Sequence, residues 1–208
     1  MHDSKNKKKY RAASFLMSLA LAVSAAPVSG LMTVSAADGE TEDRLVRELI
    51  PKPLEYNVDE GGGEFILDGA SQIYVSGDSD VTDIGNYLQQ EFRKSTGYQL
   101  SVAEGEAADA NDILLAADGD ASLGEEGYTI TVSESGVKVS GYQPHGIFNG
   151  VQTLRQLFPA DISNTTVVTG TEWAAPYCEI NDKPEYSYRG AMIDSARHFF
   201  SVDSVKRQ

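Results

Sequence analysis

Cysteine is almost missing: Cys178 is the one thiol among 208 residues. A single cysteine closes no intramolecular disulfide and gives no zinc spacing. Its neighbours Tyr177 and Ile180 mark a packed thiol, and no histidine lies near it in sequence to make it a nucleophile. Positive charge is also scarce, with 17 Lys and Arg against 31 Asp and Glu, a formal net charge of −14. Phosphates and anionic lipids are repelled by such a surface, which argues against a nucleic-acid or membrane-surface partner and favours a neutral ligand such as a sugar. Phosphate-loop chemistry is missing too. Gly61-Gly62-Gly63 has no Lys-Ser/Thr after it and runs into a strand, so it reads as a turn.

The first 36 residues have the layout of a signal peptide. Lys5, Lys7, Lys8, Lys9 and Arg11 form a basic start, and Phe15 to Val23 is an apolar run. That run is well short of the ~20 residues a membrane span needs. Val34-Ser35-Ala36 supplies small residues for cleavage before Ala37, and no cysteine stands there for lipid attachment. A secreted or cell-surface protein of bacterial type is expected, with no membrane contact after cleavage. Residues 37–48 read as a polar leader.

From residue 49 to about 183 the pattern predicts one α+β domain. Glu64–Leu67 and Gln72–Val75 are rich in β-branched and aromatic residues and read as strands. Val81, Ile84, Leu88 and Phe92 recur every three or four residues, which puts them on one helical face. Ser79 or Asp80 is expected to cap that helix, and Gly97 to close it. Tyr98, Leu100 and Val102 alternate as a strand, residues 103–111 form an acidic loop, and Ile113–Ala116 is a short buried strand. Tyr128–Ser133 and Val137–Ser140 alternate across Glu134-Ser135-Gly136, the clearest hairpin in the chain. Ile147, Val151 and Leu154 line a second helix, stopped by Pro159. The expected product is an antiparallel or mixed sheet with two helices packed on one face. Residues 165–185 read as a turn-rich connector with some strand character.

The C-terminal stretch carries the chemistry. Ala191-Met192-Ile193 is a short apolar triplet suited to a strand covered on both faces, as in a parallel barrel. Asp194, Arg197 and His198 would collect at its C-terminal end, where barrel enzymes place site residues. A helix is expected to begin at Ser201. Spacing alone leaves two readings open. One is an ion-pair set with Arg189 or Arg197 bridging Asp194, and the other is a ligand site. His145 receives no functional reading.

Tyr188-Arg189-Gly190-Ala191-Met192-Ile193-Asp194-Ser195-Ala196-Arg197-His198-Phe199-Phe200 resembles the opening of the catalytic domain of glycoside hydrolase family 20, the β-N-acetylhexosaminidases. Gly127–Ile130, Gly146–Leu157 and Ile50–Pro53 resemble parts of that family's N-terminal domain. The resemblance covers about residues 49–208. It implies that residues 184–208 begin a truncated (β/α)8 barrel, supplying its first strand and the start of its first helix. It implies hydrolysis of terminal N-acetylglucosamine or N-acetylgalactosamine from β-linked glycans, with no cofactor and no metal. The substrate's own acetamido oxygen would attack the anomeric carbon with retention, so no enzymic nucleophile is needed. The family's catalytic Asp-Glu pair lies far downstream of this stretch, so no catalytic residue is assigned here. Arg189 matches the arginine that binds the C3 and C4 hydroxyls of the terminal sugar. Its rigid fork of donors suits two neighbouring oxygens. Asp194, Arg197 and His198 match the motif as residues that shape the site. A lacto-N-biosidase shares most of this stretch. A non-catalytic glycan-binding or cell-surface module is the alternative of a different class. α-Glucuronidases and O-GlcNAc hydrolases, which carry a similar N-terminal domain, would need a different first-strand motif.

Overall fold

The computed structural model describes residues 48–106, 110–194 and 199–207. The expected signal peptide, most of the leader, Arg197 and His198 lie outside the described residues. In chain order the strands and helices are β1 (Glu55–Val58), β2 (Glu64–Ile66), β3 (Gln72–Ser76), α1 (Ser79–Thr96), β4 (Ser101–Glu104) and β5 (Ile113–Ala116). They continue with β6 (Tyr128–Ser133), β7 (Gly136–Gly141), α2 (Pro144–Leu157), β8 (Ala174–Pro176), β9 (Cys178–Asp182) and α3 (Val202–Val205).

The hairpin forms as the alternation predicts. β6 and β7 pair antiparallel from Tyr128↔Gly141 to Ser133↔Gly136, burying Tyr128, Ile130, Val132, Val137 and Val139. β7 then pairs parallel with β5, and β3 lies parallel between β5 and β4. Parallel neighbours need a crossover, and α1 supplies it between β3 and β4. On the other side β6 pairs antiparallel with β9, and β9 with β1. The result is a seven-stranded mixed sheet in the order β1-β9-β6-β7-β5-β3-β4, plus a separate β2-β8 pair.

Both helices pack on the sheet and on each other. Val81, Ile84, Leu88 and Phe92 of α1 are buried, as are Ile147, Val151, Leu154 and Leu157 of α2. Each large apolar side chain taken from water contributes about 1.5–3 kcal/mol before conformational entropy is charged against it. Phe158 seals the end of this core. Its ring meets Phe92 edge-on at 5.3 Å and Phe65 at 6.3 Å, which ties the β2-β8 pair to the helices.

Three local details differ from the sequence expectation. The cap of α1 is Asp78, whose carboxylate accepts from the Asp80 and Val81 amides, not Ser79 or Asp80. Its extended backbone lets the side chain fold back onto the first turn. The strand expected from Tyr98 begins at Ser101 instead. Gly97 ends α1 in the left-handed region at φ 75°, and the Tyr98 amide is taken by Thr96 Oγ1 before the β3 ladder starts. The connector at 165–185 is part of the sheet: β9 lies inside it between β1 and β6, with Cys178 and Ile180 buried. Pro176 and the Asn181-Asp182 pair hid that strand, because turn residues flank a period-two run of only two apolar side chains.

The C-terminal strand expected at Ala191–Ile193 is not formed among the described residues. Residues 190–194 have no ladder partner among the described residues, and Met192 is 92% exposed. A strand is defined by backbone pairing, and no strand ladder includes residues 190–194 among the described residues. The short helix after Ser201 is present as α3, with Ser201 accepting from the Ser204 amide.

Candidate functional site

Arg189 sits on the segment that leaves β9, and the structure gives it a partner that sequence spacing did not suggest. Its guanidinium grips the Glu126 carboxylate with both terminal nitrogens, Nη1 to Oε2 at 3.2 Å and Nη2 to Oε1 at 2.5 Å. Nη1 also donates to the Tyr186 carbonyl. Such a fork-to-carboxylate contact is short and directional. The hydrogen bond from Arg189 holds the Glu126 carboxyl below its ordinary value, against the opposing effect of burial. Arg189 is pushed further up by the same bond. Both side chains are partly exposed, with relative accessibilities of 49% and 33%. Water therefore screens the pair, and its contribution to stability is small. Among the described residues Arg189 is thus ion-paired with Glu126, and the expected bridge from Arg197 to Asp194 involves a residue outside the described ones.

A cleft of about 500 Å³ opens beside Arg189. One wall is α2, through Asn149, Gln152 and Gln156, and the others are the 50–54 segment and the segment from Asp182 to Arg189. Hydrogen bonds fix these walls. The Ile50 amide donates to Gln156 Oε1 and Gln156 Nε2 donates to the Ile50 carbonyl, each at 3.0 Å. Asp182 accepts from the Leu54 amide at 3.1 Å with one oxygen and from the Tyr128 hydroxyl at 3.0 Å with the other. Tyr128 also bonds Thr153 Oγ1 at 2.6 Å. Burial, reinforced by the Asp182 charge, pushes the Tyr128 phenol well above its usual range, so it stays a neutral donor. One carboxylate thus joins the entry to the domain, the sheet and the exit from the domain. Pairings of 54, 63, 106 and 128 residues' separation leave no local signal, and sequence reading missed Glu126, Asp182 and Gln156.

Close packing sets the position of α2. A Cβ at Gly146 would stand 2.1 Å from the Gly127 carbonyl oxygen, a backbone atom that cannot step aside. Glycine at this position lets the start of α2 lie against the strand that follows Glu126.

Asp194 lies on exposed backbone beyond Arg189, and it has an interaction of its own. A second cleft, of about 750 Å³, lies between Gly61–Gly63, Tyr177 and the end of β6. Its charged lining residues, Asp59, Glu134 and Glu179, are all acidic, and neither Arg189 nor Asp194 lines it. Cys178 is buried as expected, and burial pushes its thiol up to about 12, so the nucleophilic thiolate is not formed near neutrality. Among the described residues no group of three or more His, Cys, Asp or Glu is placed to hold a metal ion, and no helix is long and apolar enough to cross a membrane.

Residues 46–183 match the family model described as glycosyl hydrolase family 20, domain 2. A beta-hexosaminidase of Porphyromonas gingivalis is 35% identical over 159 residues, which is 76% of this chain and 20% of that protein. A beta-N-acetylhexosaminidase of Cellulomonas fimi is 28% identical over 158 residues, 76% of this chain and 30% of its own length. Among solved structures, the GH20 beta-N-acetylhexosaminidase of Streptomyces coelicolor A3(2) superposes with a TM-score of 0.65 at 35% identity, covering 79% of this chain and 31% of that one. A mutant beta-hexosaminidase of Streptomyces plicatus in complex with product GlcNAc gives 0.67 at 34% identity, again over 79% and 31%. The chain therefore spans less than a third of the length of each of these relatives.

Proposed function

This chain belongs to glycosyl hydrolase family 20, and from that membership we propose that it is the N-terminal part of a secreted β-N-acetylhexosaminidase. The enzyme removes terminal N-acetylglucosamine or N-acetylgalactosamine from β-linked glycans. The observation that carries this reading is the match over residues 46–183, joined to relatives whose printed names are those of β-hexosaminidases. Residues 1–36 direct export, residues 49–183 are the accessory α+β domain, and residues 184–208 supply the first strand and the start of the first helix of a (β/α)8 barrel. The exposed apolar side chains of that segment, Tyr188, Met192 and Phe199 among them, support the barrel reading. In a barrel they would be covered by neighbouring strands and helices.

The reaction proceeds with retention. The 2-acetamido oxygen of the substrate attacks the anomeric carbon as a general acid protonates the leaving oxygen, and water then opens the oxazolinium intermediate. No side chain of residues 1–208 is assigned to the proton transfers. Arg189 holds the C3 and C4 hydroxyls of the terminal sugar. The donors that grip Glu126 are the ones a sugar would use, so the two contacts exclude each other. Asp194, Arg197 and His198 shape the loop beside it.

The test uses the longer polypeptide that carries the barrel. Arg189→Ala should lower kcat/KM on a chromogenic N-acetyl-β-glucosaminide by about 2–4 kcal/mol, the scale of losing a buried charged hydrogen-bond donor. An unchanged kcat/KM removes Arg189 from the sugar subsite. No hydrolysis by the unsubstituted polypeptide refutes the hexosaminidase reading.

A further inference from the structure

Gly85 of α1 lies against Val75 and Gly150 of α2 against Val139, and Leu115 joins those two strand residues in one row. Both helices therefore sit on the same face of the sheet. On the other face the side chains of β1 and β9 stand opposite one another in pairs, Asn57 beside Glu179 and, two residues along, Glu55 beside Asn181. All four are exposed. Directly opposed residues of antiparallel strands have Cβ atoms about 5 Å apart, and successive rows on one face repeat at about 6.6 Å. An amide beside a carboxylate thus occurs twice, with the order of the two reversed in the second row. Asn181 Nδ2 donates to Glu55 Oε2 at 3.2 Å. Among the described residues, the side chains of Asn57 and Glu179 have no hydrogen-bond partner.

Two clefts meet over these rows. One, of about 320 Å³, is lined by all four side chains. The other, of about 750 Å³, shares Asn57, Thr131 and Glu179 with it and runs on to Tyr177, whose ring lies against Gly63. The lining contains no basic side chain, and the nearby Lys138 on β7 is paired with Asp118 at 2.7 Å. Phosphate, sulfate and uronate groups are repelled by such a lining. None of the exposed large apolar side chains of the described residues lies in it, so a protein partner would find no interface centre there. The chemistry left is that of a neutral ligand rich in hydroxyl and amide groups. An acetamido group needs an acceptor for its N–H and a donor for its C=O, and a glutamate beside an asparagine offers both. In a β1,4-linked chain of N-acetylglucosamine each unit is turned over relative to the last, so the acetamido groups alternate from side to side. The reversed order of the second Asn and Glu pair has the same alternation.

We infer that the groove over β1, β9 and β6 is a second, non-catalytic binding site for a β1,4-linked N-acetylglucosamine chain. Successive acetamido groups are held by Asn57 with Glu179 and by Asn181 with Glu55, the latter pair opening its own hydrogen bond to do so. Thr131 flanks the first pair, and the next sugar lies against Tyr177. The choice of this sugar among neutral amides rests on the hexosaminidase reading. The site is on the sheet face that does not carry α2, so it tethers a polymer at a distance from the terminal unit being cut. A tethered chain end is presented to the enzyme at a raised effective concentration.

The 208-residue chain is titrated with the β1,4-linked N-acetylglucosamine tetramer and, separately, with cellotetraose, while its amide NMR spectrum is followed. The N-acetylglucosamine tetramer should shift the amides of residues 55–58, 129–133 and 177–181. Cellotetraose, which lacks the acetamido groups, should bind at least about tenfold more weakly. Asn57→Ala and Asn181→Ala each remove one donor from an exposed position, and each should weaken the tetramer at least about fivefold. Two variants are made so that one remains if the other disturbs the fold, which the dispersion of the same spectrum reveals. No shift at millimolar tetramer, shifts confined to the cleft beside Arg189, or equal binding of cellotetraose each overturn the site. Full affinity in both folded variants overturns it too. Hydrolysis by the longer polypeptide is measured apart from this. Hydrolysis without tetramer binding at the groove removes the site and leaves the function standing, whereas binding at the groove without hydrolysis keeps the site and refutes the hexosaminidase reading.

Discussion

Arg189 carries its charge at every pH at which a protein of this kind stays folded, whereas its partner Glu126 does not. The Glu126 carboxyl titrates below its ordinary value while the pair is made, so the pair adds stability above the unfolded carboxylate pKa of about 4.3. That stability is lost as pH falls through the lower, folded value. In the 208-residue chain, amide exchange of residues 186–189 should accelerate relative to β6 as pH drops from 5 to about 3, after correction for intrinsic exchange. Glu126→Gln should abolish that pH step, and a step that persists would place the titrating group elsewhere. The arginine was legible from a dense motif. Its partner was not, because a carboxylate 63 residues upstream becomes a neighbour only once β6 and β9 pair. Cys178 was fully legible, since a lone thiol among apolar residues is governed by burial alone.

At the level of elements, α1 shows how local chemistry sets an end. Asp78 satisfies two free amides of the first turn and places a negative charge at the positive end of the helix dipole. Asp78→Ala should cost about 0.5–2 kcal/mol in urea unfolding, and Asp78→Asn should retain much of that stability. Equal loss in both variants would mean that charge, not capping geometry, matters here. The helices and the hairpin were readable because their periods of 3.6 and 2 run for many residues. β1 and β9 were not. Each shows at most two inward apolar side chains, and each becomes a strand by pairing with the other, Glu55↔Asn181 to Val58↔Cys178. Strand identity in such short runs is a property of the partner as much as of the segment.

On the scale of the whole molecule, the described residues build a complete sheet-and-helix layer with its own core, from which residues 184–194 and 199–207 extend with apolar side chains in water. Under the functional reading, the carboxylates that break the glycosidic bond are not among these 208 residues. The purified 208-residue chain should therefore show no turnover of a chromogenic N-acetyl-β-glucosaminide above a blank, and measurable hydrolysis would mean that the reaction runs without the barrel's carboxylates. The sequence by itself determined the α+β class, both helices, the hairpin, the buried thiol and the family motif around Arg189. These rest on periodicity, composition and residues adjacent in the chain. Tertiary structure decided the mixed strand order, the place of β9 inside the sheet, the Asp182 junction and the partner of Arg189. Those depend on contacts across 24 to 128 residues. Such contacts are selected by the burial of the whole core, and no short window of sequence contains them.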